Sequence, residues 1–172
     1  MLTEQTGGVL ARHRYRRIAN LANLSTPIGL VVGLVGGARP SRGPRGLVLA
    51  GGYRLPVPDA VAFTIGNVVV ARMPAQDLLH RPALLAHEER HAWQYVALGG
   101  PLYWPVYLLT TTWSWLFTGD RASHNLLERA AGLADGGYRE RASRRQRRAR
   151  RSRVGRRRGA SDRRGVPPGQ AR

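Results

Sequence analysis

The chain has 172 residues, 28 basic side chains against 10 acidic ones, a formal net charge of +18 and no cysteine. That length suits one domain with a modest core. The missing cysteines exclude a disulfide framework and cysteine-ligated zinc, so a metal here must be held by histidine and carboxylate. The charge is uneven: residues 139–172 carry 15 arginines against Glu140 and Asp162, while residues 1–138 carry 13 against eight acids.

In chain order, residues 9–24 read as a basic amphipathic helix, with Leu10, Ile18, Leu21 and Leu24 on one face and Arg12, Arg14, Arg16 and Arg17 elsewhere. Ser25 or Thr26 then caps a second short helix, with Pro27 at its first position and Gly36-Gly37 at its end. The apolar run 27–37 is too short for a span of about 20 residues and lacks a clean cleavage site, so no clear signal peptide is read. Residues 38–46 read as a loop, and 47–55 as strand, Gly-Gly turn, strand. Residues 61–73 are the clearest hairpin, two β-branched runs around Gly66-Asn67, a type II′ signal. Pro82 opens a strong helix that runs to Leu98 and stops at Gly99-Gly100-Pro101. Residues 102–118 are apolar and aromatic without charge, and 125–134 form another helix. From Arg139 onward apolar content collapses, and the arginine-rich segment 139–172 reads as a disordered tail.

Within the strong helix stands "LLAHEERHAWQY", residues 84–95. Positions i and i+4 lie one above the other on a helix, so His87 and His91 can offer two imidazoles to one ion. Glu88 is rotated about 100° from His87, out of ligating position but within reach of a water at that ion. Zinc with three protein ligands and an open position makes water acidic enough for Glu88 to act as general base toward a carbonyl and then as proton donor to the leaving amine. The alternative is a polar helix face with Glu88 and Glu89 as solvated charges in the helix's N-terminal half.

A third ligand must come from elsewhere. Glu128 is preferred, because it sits in the first turn of a helix that can fold back after 102–118. His124 and then Asp120 are the alternatives. Asn125 with Glu128 also spells a capping box, the structural reading of the same residues. Gln94, three beyond His91, shares the metal face, and Asp135 lies seven beyond Glu128; with Asn125 these are candidates to orient ligands. Tyr95, His124, Arg121 and Tyr138 are candidates to stabilise an oxyanion, and spacing does not choose among them. His13 and His80 read as surface residues.

These residues resemble the zincin metallopeptidases. "HEERH" followed by a helix bearing a glutamate is similar to the gluzincin arrangement of thermolysin-like enzymes, and "TIGNVVVAR", "LLAHEERHAWQY", "GGPLYWPVYLL" and "NLLERAAG" resemble small bacterial zincin-like domains with HExxHxxQ. The resemblance covers about residues 60–138. It implies Zn2+ on His87, His91 and Glu128 with Glu88 as base, in a zincin-like α+β domain over 1–138: small antiparallel hairpins packed on an active-site helix and a second, ligand-bearing helix. Two departures stand out. Gly132 occupies the position where thermolysin-like enzymes carry an aspartate four residues after the ligand glutamate, and there is no large second domain to form a cleft. Strand 68–72 is offered as an edge for an extended peptide.

The expected function is that of a zinc-dependent hydrolase, in particular a peptidase, acting on a peptide or protein. The alternative is a basic protein that binds nucleic acid or an anionic membrane non-specifically through 139–172, with a structural or vestigial metal site. Residues 102–118 are expected to form a core helix and loop over the metal helix, with an interfacial or re-entrant membrane segment as the alternative. The address expected is cytoplasmic or peripheral to a membrane.

Overall fold

Residues 2–138, 140–143 and 146 are described in the computed structural model of the chain, with side chains from Leu10 onward. Two helices come first, α1 (Leu2–Ala22) and α2 (Ser25–Val35). They are followed by β1 (Arg39–Arg42), a 3₁₀ turn at Pro44–Gly46, β2 (Val48–Gly51), and the hairpin β3 (Ala62–Ile65) and β4 (Val68–Ala71). Four more helices follow among the described residues: α3 (Ala75–Leu79), α4 (Pro82–Ala97), α5 (Tyr103–Thr118) and α6 (Leu126–Ala131). The architecture is mixed α and β, in keeping with the expected α+β class.

The strands form one sheet in the order β1-β2-β4-β3, rather than separate antiparallel hairpins. β1–β2 and β3–β4 are antiparallel, and β2–β4 is parallel. The parallel pair sits in the middle, where both faces are covered. Every residue of β4 is buried. Val69 and Ala71 join Leu49, Leu78 and Leu85 on the side of α3 and α4. Val68 and Val70 join Ala50 and Tyr53 on the other side, against Leu30 and Val32 of α2. This alternation of side chains about the pleat makes one strand the shared wall of two apolar layers.

Several expectations are corrected. The 61–73 hairpin forms as read, with Gly66 at φ +61° and Asn67 outside the positive-φ region, as a type II′ turn requires. Residues 47–55 give only one strand, because β2 pairs with β4 and the chain beyond it keeps following β4, through Gly52 N–H to Met73 O and Tyr53 N–H to Ala71 O. Part of the 38–46 loop is β1, a fully exposed edge strand without apolar alternation to announce it. The strand 68–72 proposed as an edge is central, and the edge beside α4 is β3. α3 had no sequence signal beyond its five residues. Neither Ser25 nor Thr26 caps α2: Leu24 precedes it in the left-handed region, and Thr26 Oγ1 instead accepts from Asn67 N–H in the hairpin turn.

The faces of three helices are inverted relative to the apolar-inside pattern. On α1, Leu10, Ile18 and Leu21 are exposed, while Arg16 is fully buried. Arg16 donates to Asn67 Oδ1, to Arg45 O and to Glu89, and Asn20 donates to Ala92 O of α4. Glu89 is therefore no solvated charge. It is buried and also pairs with Arg45 at 2.7 Å and His13 at 3.3 Å, so His13 is not a free surface residue. On α2 the buried residues are Ser25, Thr26, Gly29 and Gly33, beside the half-buried Leu30 and Val32, and a Cβ at Gly29 would fall 2.5 Å from Ile65 O. On α5, one continuous helix, the inward stripe is Tyr103, Thr110, Ser114 and Thr118. Its bulky apolar residues, Trp113, Trp115 and Phe117 among them, face out, so it is not the core helix expected.

Of segment 139–172, Glu140 pairs with Arg129 at 2.8 Å, and Arg141 N–H donates to Ser123 Oγ. Most of it, with its expected disorder and its nucleic-acid or membrane binding, lies outside the described residues.

Candidate metal centre

α4 is fixed on three sides, by α1 through Asn20, by β3 through Thr64 and by α6 through Gln94. His87 and His91 project from it toward Glu128 in the first turn of α6. The two Nε2 atoms are 3.0 Å apart, and Glu128 Oε2 lies 3.3 Å from His87 Nε2 and 3.6 Å from His91 Nε2. Three ligands at zinc-type bond lengths around a tetrahedral centre sit about 3.3–3.4 Å from one another. The observed triangle brackets that spacing, and all three residues are buried. The group could hold a metal ion.

The outer nitrogens explain why the inner ones are free. His87 Nδ1 lies 3.1 Å from Ala131 O and 3.0 Å from Gly132 O, both acceptors only, so it carries the proton. His91 Nδ1 lies 2.8 Å from Gln94 Oε1, whose amide nitrogen donates to Leu127 O, so Nδ1 is protonated here too. With both protons placed outward, two Nε2 lone pairs and a carboxylate oxygen converge on one point. Glu128 Oε2 has no hydrogen-bond partner, while Oε1 accepts from the Tyr107 hydroxyl at 3.0 Å. An orphaned buried oxygen beside two imidazole lone pairs is a donor set that a cation completes. Without a cation a proton can take that place instead: burial alone would raise the Glu128 carboxyl, but imidazoles protonated toward it outweigh that and hold it at about 2. Burial likewise depresses His91, and Glu128 and Glu88 reverse that to a net rise.

Asn125 makes α6 start where it does. Its Oδ1 accepts from Leu127 N–H, Glu128 N–H and Thr110 Oγ1, and its Nδ2 donates to Thr111. Asn125 thus caps the helix and locks it to α5, while the carboxylate of Glu128 turns to the histidines instead of closing the box. On the other side, a Cβ at Gly136 would fall 2.6 Å from the His87 ring, so the chain after α6 lies flat on that imidazole.

Glu88 is buried, and its Oε2 accepts from Thr64 Oγ1 at 2.7 Å. Burial raises its carboxyl above the ordinary range, with His91, Thr64 and His87 only partly opposing, as suits a proton acceptor and donor. His87, Glu88, His91 and Glu128 all line a cavity of about 410 Å³ whose other walls include Phe63, Ile65, Tyr103 and Trp104. A second cavity of about 320 Å³ shares His87, Glu88 and Tyr138 with it. Both run past β3, whose only strand partner among the described residues is β4.

The remaining candidates are not brought to the triangle. Asp120 Oδ2 caps its own loop by accepting from Ser123 N–H and Oγ. His124 N–H donates to Ser114 Oγ, and the residue lines a separate surface pocket with Trp113 and Glu140. Asp135 binds Arg90 at 2.6 Å rather than a ligand, although Arg90 also donates to the Ala131 carbonyl that holds His87. Tyr138 lines both cavities, with its ring centroid 6.1 Å from that of His87. Tyr95 is buried in a stack on Tyr103. The sequence reading missed Thr64, Tyr103, whose hydroxyl lies 3.2 Å from His91 Nδ1, and Tyr107. A signal existed for the tyrosines: at i and i+4 they head the polar stripe of an apolar segment.

No protein-family model, curated protein or solved structure significantly matches the chain.

Proposed function

We propose that this protein is a zinc-dependent hydrolase of amide bonds, with His87, His91 and Glu128 holding the metal and Glu88 as general base. The observation that carries the reading is the convergence of two Nε2 lone pairs and an unpartnered carboxylate oxygen within 3.6 Å of one another, beside a carboxyl whose pKa is raised. The zincin resemblance of "HEERH" and "NLLERAAG" agrees with it. A bound zinc ion supplies Lewis-acid polarisation of a carbonyl and acidifies water beside it. The chain does the rest. Glu88, held by Thr64, takes a proton from the attacking water and returns it to the departing amine. The Tyr138 phenol, protonated at neutral pH as any phenol is, stands at the cavity wall to donate to a developing oxyanion. The free edge of β3 can take an extended peptide as an added strand, its side chains seated against Phe63 and Ile65.

Metal analysis of the purified chain tests the reading. One zinc per chain is expected, lost in Glu128→Ala and His91→Ala. Glu88→Gln is expected to keep the metal and lose cleavage of a fluorescence-quenched peptide library. Wild-type protein without stoichiometric metal overturns the assignment.

A further inference from the structure

We propose that the outward apolar faces of α2 and α5 form a docking surface for an anionic lipid bilayer, with the mouth of the metal-site cavity turned toward the lipid. Both helices are built the wrong way round for a protein immersed in water. α2 packs inward with serine, threonine, glycine and the half-buried Leu30 and Val32, and presents Ile28, Val31, Leu34 and Val35 outward. α5 packs inward with a tyrosine and hydroxyl stripe and presents Leu109 (71 % exposed), Trp113, Trp115 and Phe117. Scattered exposed apolar residues are ordinary, but whole helix faces are not.

The two helices start close together. A Cβ at Gly100, just before α5, would fall 2.7 Å from Asn23, just before α2. Ile28 of α2, Val57 of the intervening loop and Trp104 of α5 line the same cavity as the histidines and are 43, 73 and 42 % exposed. The rim of the cavity is therefore part of the apolar surface.

A bilayer is favoured over a second protein by two features. Neither helix contains a charged residue, and arginines prevail among the exposed charges that flank them: Arg39 and Arg42 after α2, Arg54 in the loop and Arg121 after α5, against one exposed acid, Asp59, and the half-buried Asp120. With 13 arginines against eight acids in residues 1–138, this complements anionic headgroups. The face is also rich in tryptophan, the side chain that prefers the headgroup boundary. Insertion is shallow. No helix among the described residues is long and apolar enough to cross a membrane, and the one pair that would suffice together, Leu10–Ala22 with Ser25–Val35, bends by 76°.

The test floats the full-length chain with vesicles of phosphatidylcholine, with and without phosphatidylglycerol. It needs neither metal nor hydrolysis, so it stands or falls apart from the zinc reading. Three of the four tryptophans lie on α5, so their emission reports the contact. The expected result is binding to the anionic vesicles, a blue shift, and quenching by brominated acyl chains. Val31→Glu/Leu34→Glu on α2 and Leu109→Glu/Leu116→Glu on α5 should each weaken binding about tenfold or more with unchanged circular dichroism. If one pair fails to fold, the other pair and the wild-type quenching decide. Binding that both pairs retain and that brominated chains do not quench means adsorption by arginines alone and overturns the proposal. So does a chain that ignores vesicles and self-associates in light scattering, which would assign the face to a second copy.

Discussion

Each side chain of the candidate centre is held by a neighbour that stays outside the triangle of His87, His91 and Glu128. Tyr107 holds Glu128 Oε1, and Gln94 holds His91 Nδ1 while tying α4 to α6. Loss of such partners typically costs about 10–100-fold in metal affinity. Tyr107→Phe and Gln94→Ala are therefore expected to bind zinc about tenfold or more weakly by competition with a chromophoric chelator. Glu88 carries a different cost. Its folded pKa is raised, so in the metal-free protein ionised Glu88 destabilises the fold at pH above that value, and the penalty vanishes below the ordinary 4.5, where the carboxyl is protonated in both states. Glu88→Gln should raise the melting temperature of the metal-free chain at neutral pH and lose that advantage as pH falls toward 4. A melting temperature unchanged or lowered at pH 7 would mean that the buried carboxylate is better compensated than its surroundings indicate.

At the scale of elements, α1 and α4 meet through charge rather than hydrocarbon. Arg16 is fully buried and binds Glu89, Asn67 and the Arg45 carbonyl. Removing one member of a buried pair costs about 3–5 kcal/mol when the other is left alone, and about 3 kcal/mol here, where Glu89 keeps Arg45 and His13. Arg16→Ala is expected to lower unfolding free energy by about that much in urea titrations, and Arg16→Met with Glu89→Gln to recover a large part, since neither charge is then left alone. This network sits directly behind the motif helix: Glu89 follows the proposed base, and Asn67 belongs to the turn of the hairpin that carries Thr64. Helix placement and site geometry thus share one set of hydrogen bonds, and Arg16→Ala should weaken zinc binding as well as stability.

For the whole molecule, the centre joins parts that are distant in sequence. α4 and α6 are brought together by His87, His91 and Glu128, and by Arg90 to the Ala131 carbonyl. A ligand that binds only the folded state stabilises it by about 2.7 kcal/mol at one hundred times its dissociation constant. Adding zinc to metal-free protein is therefore expected to raise its melting temperature, and a strong chelator to reverse the rise. The same addition should leave Glu128→Ala unmoved, which separates the centre from adventitious zinc on exposed His80.

What the sequence determined is what local geometry dictates. The i, i+4 spacing of His87 and His91 puts both on one helix face whatever surrounds them, Pro82 and Gly99-Gly100 bound that helix, and Gly66-Asn67 turns the hairpin. Glu128 was legible as a candidate because an asparagine three residues before it marks a helix start. Its choice over His124 and Asp120 belongs to the tertiary structure, where Asn125 locks α6 against α5 and turns that carboxylate alone to the imidazoles. The parallel pairing of β2 with β4 was likewise hidden, since register between distant strands leaves no mark on either one. The inverted faces of α1, α2 and α5 misled for a physical reason. Periodicity reveals that a helix has two faces, but which one is buried depends on what waits opposite: a carboxylate for Arg16, a strand carbonyl against Gly29, an asparagine for Thr110.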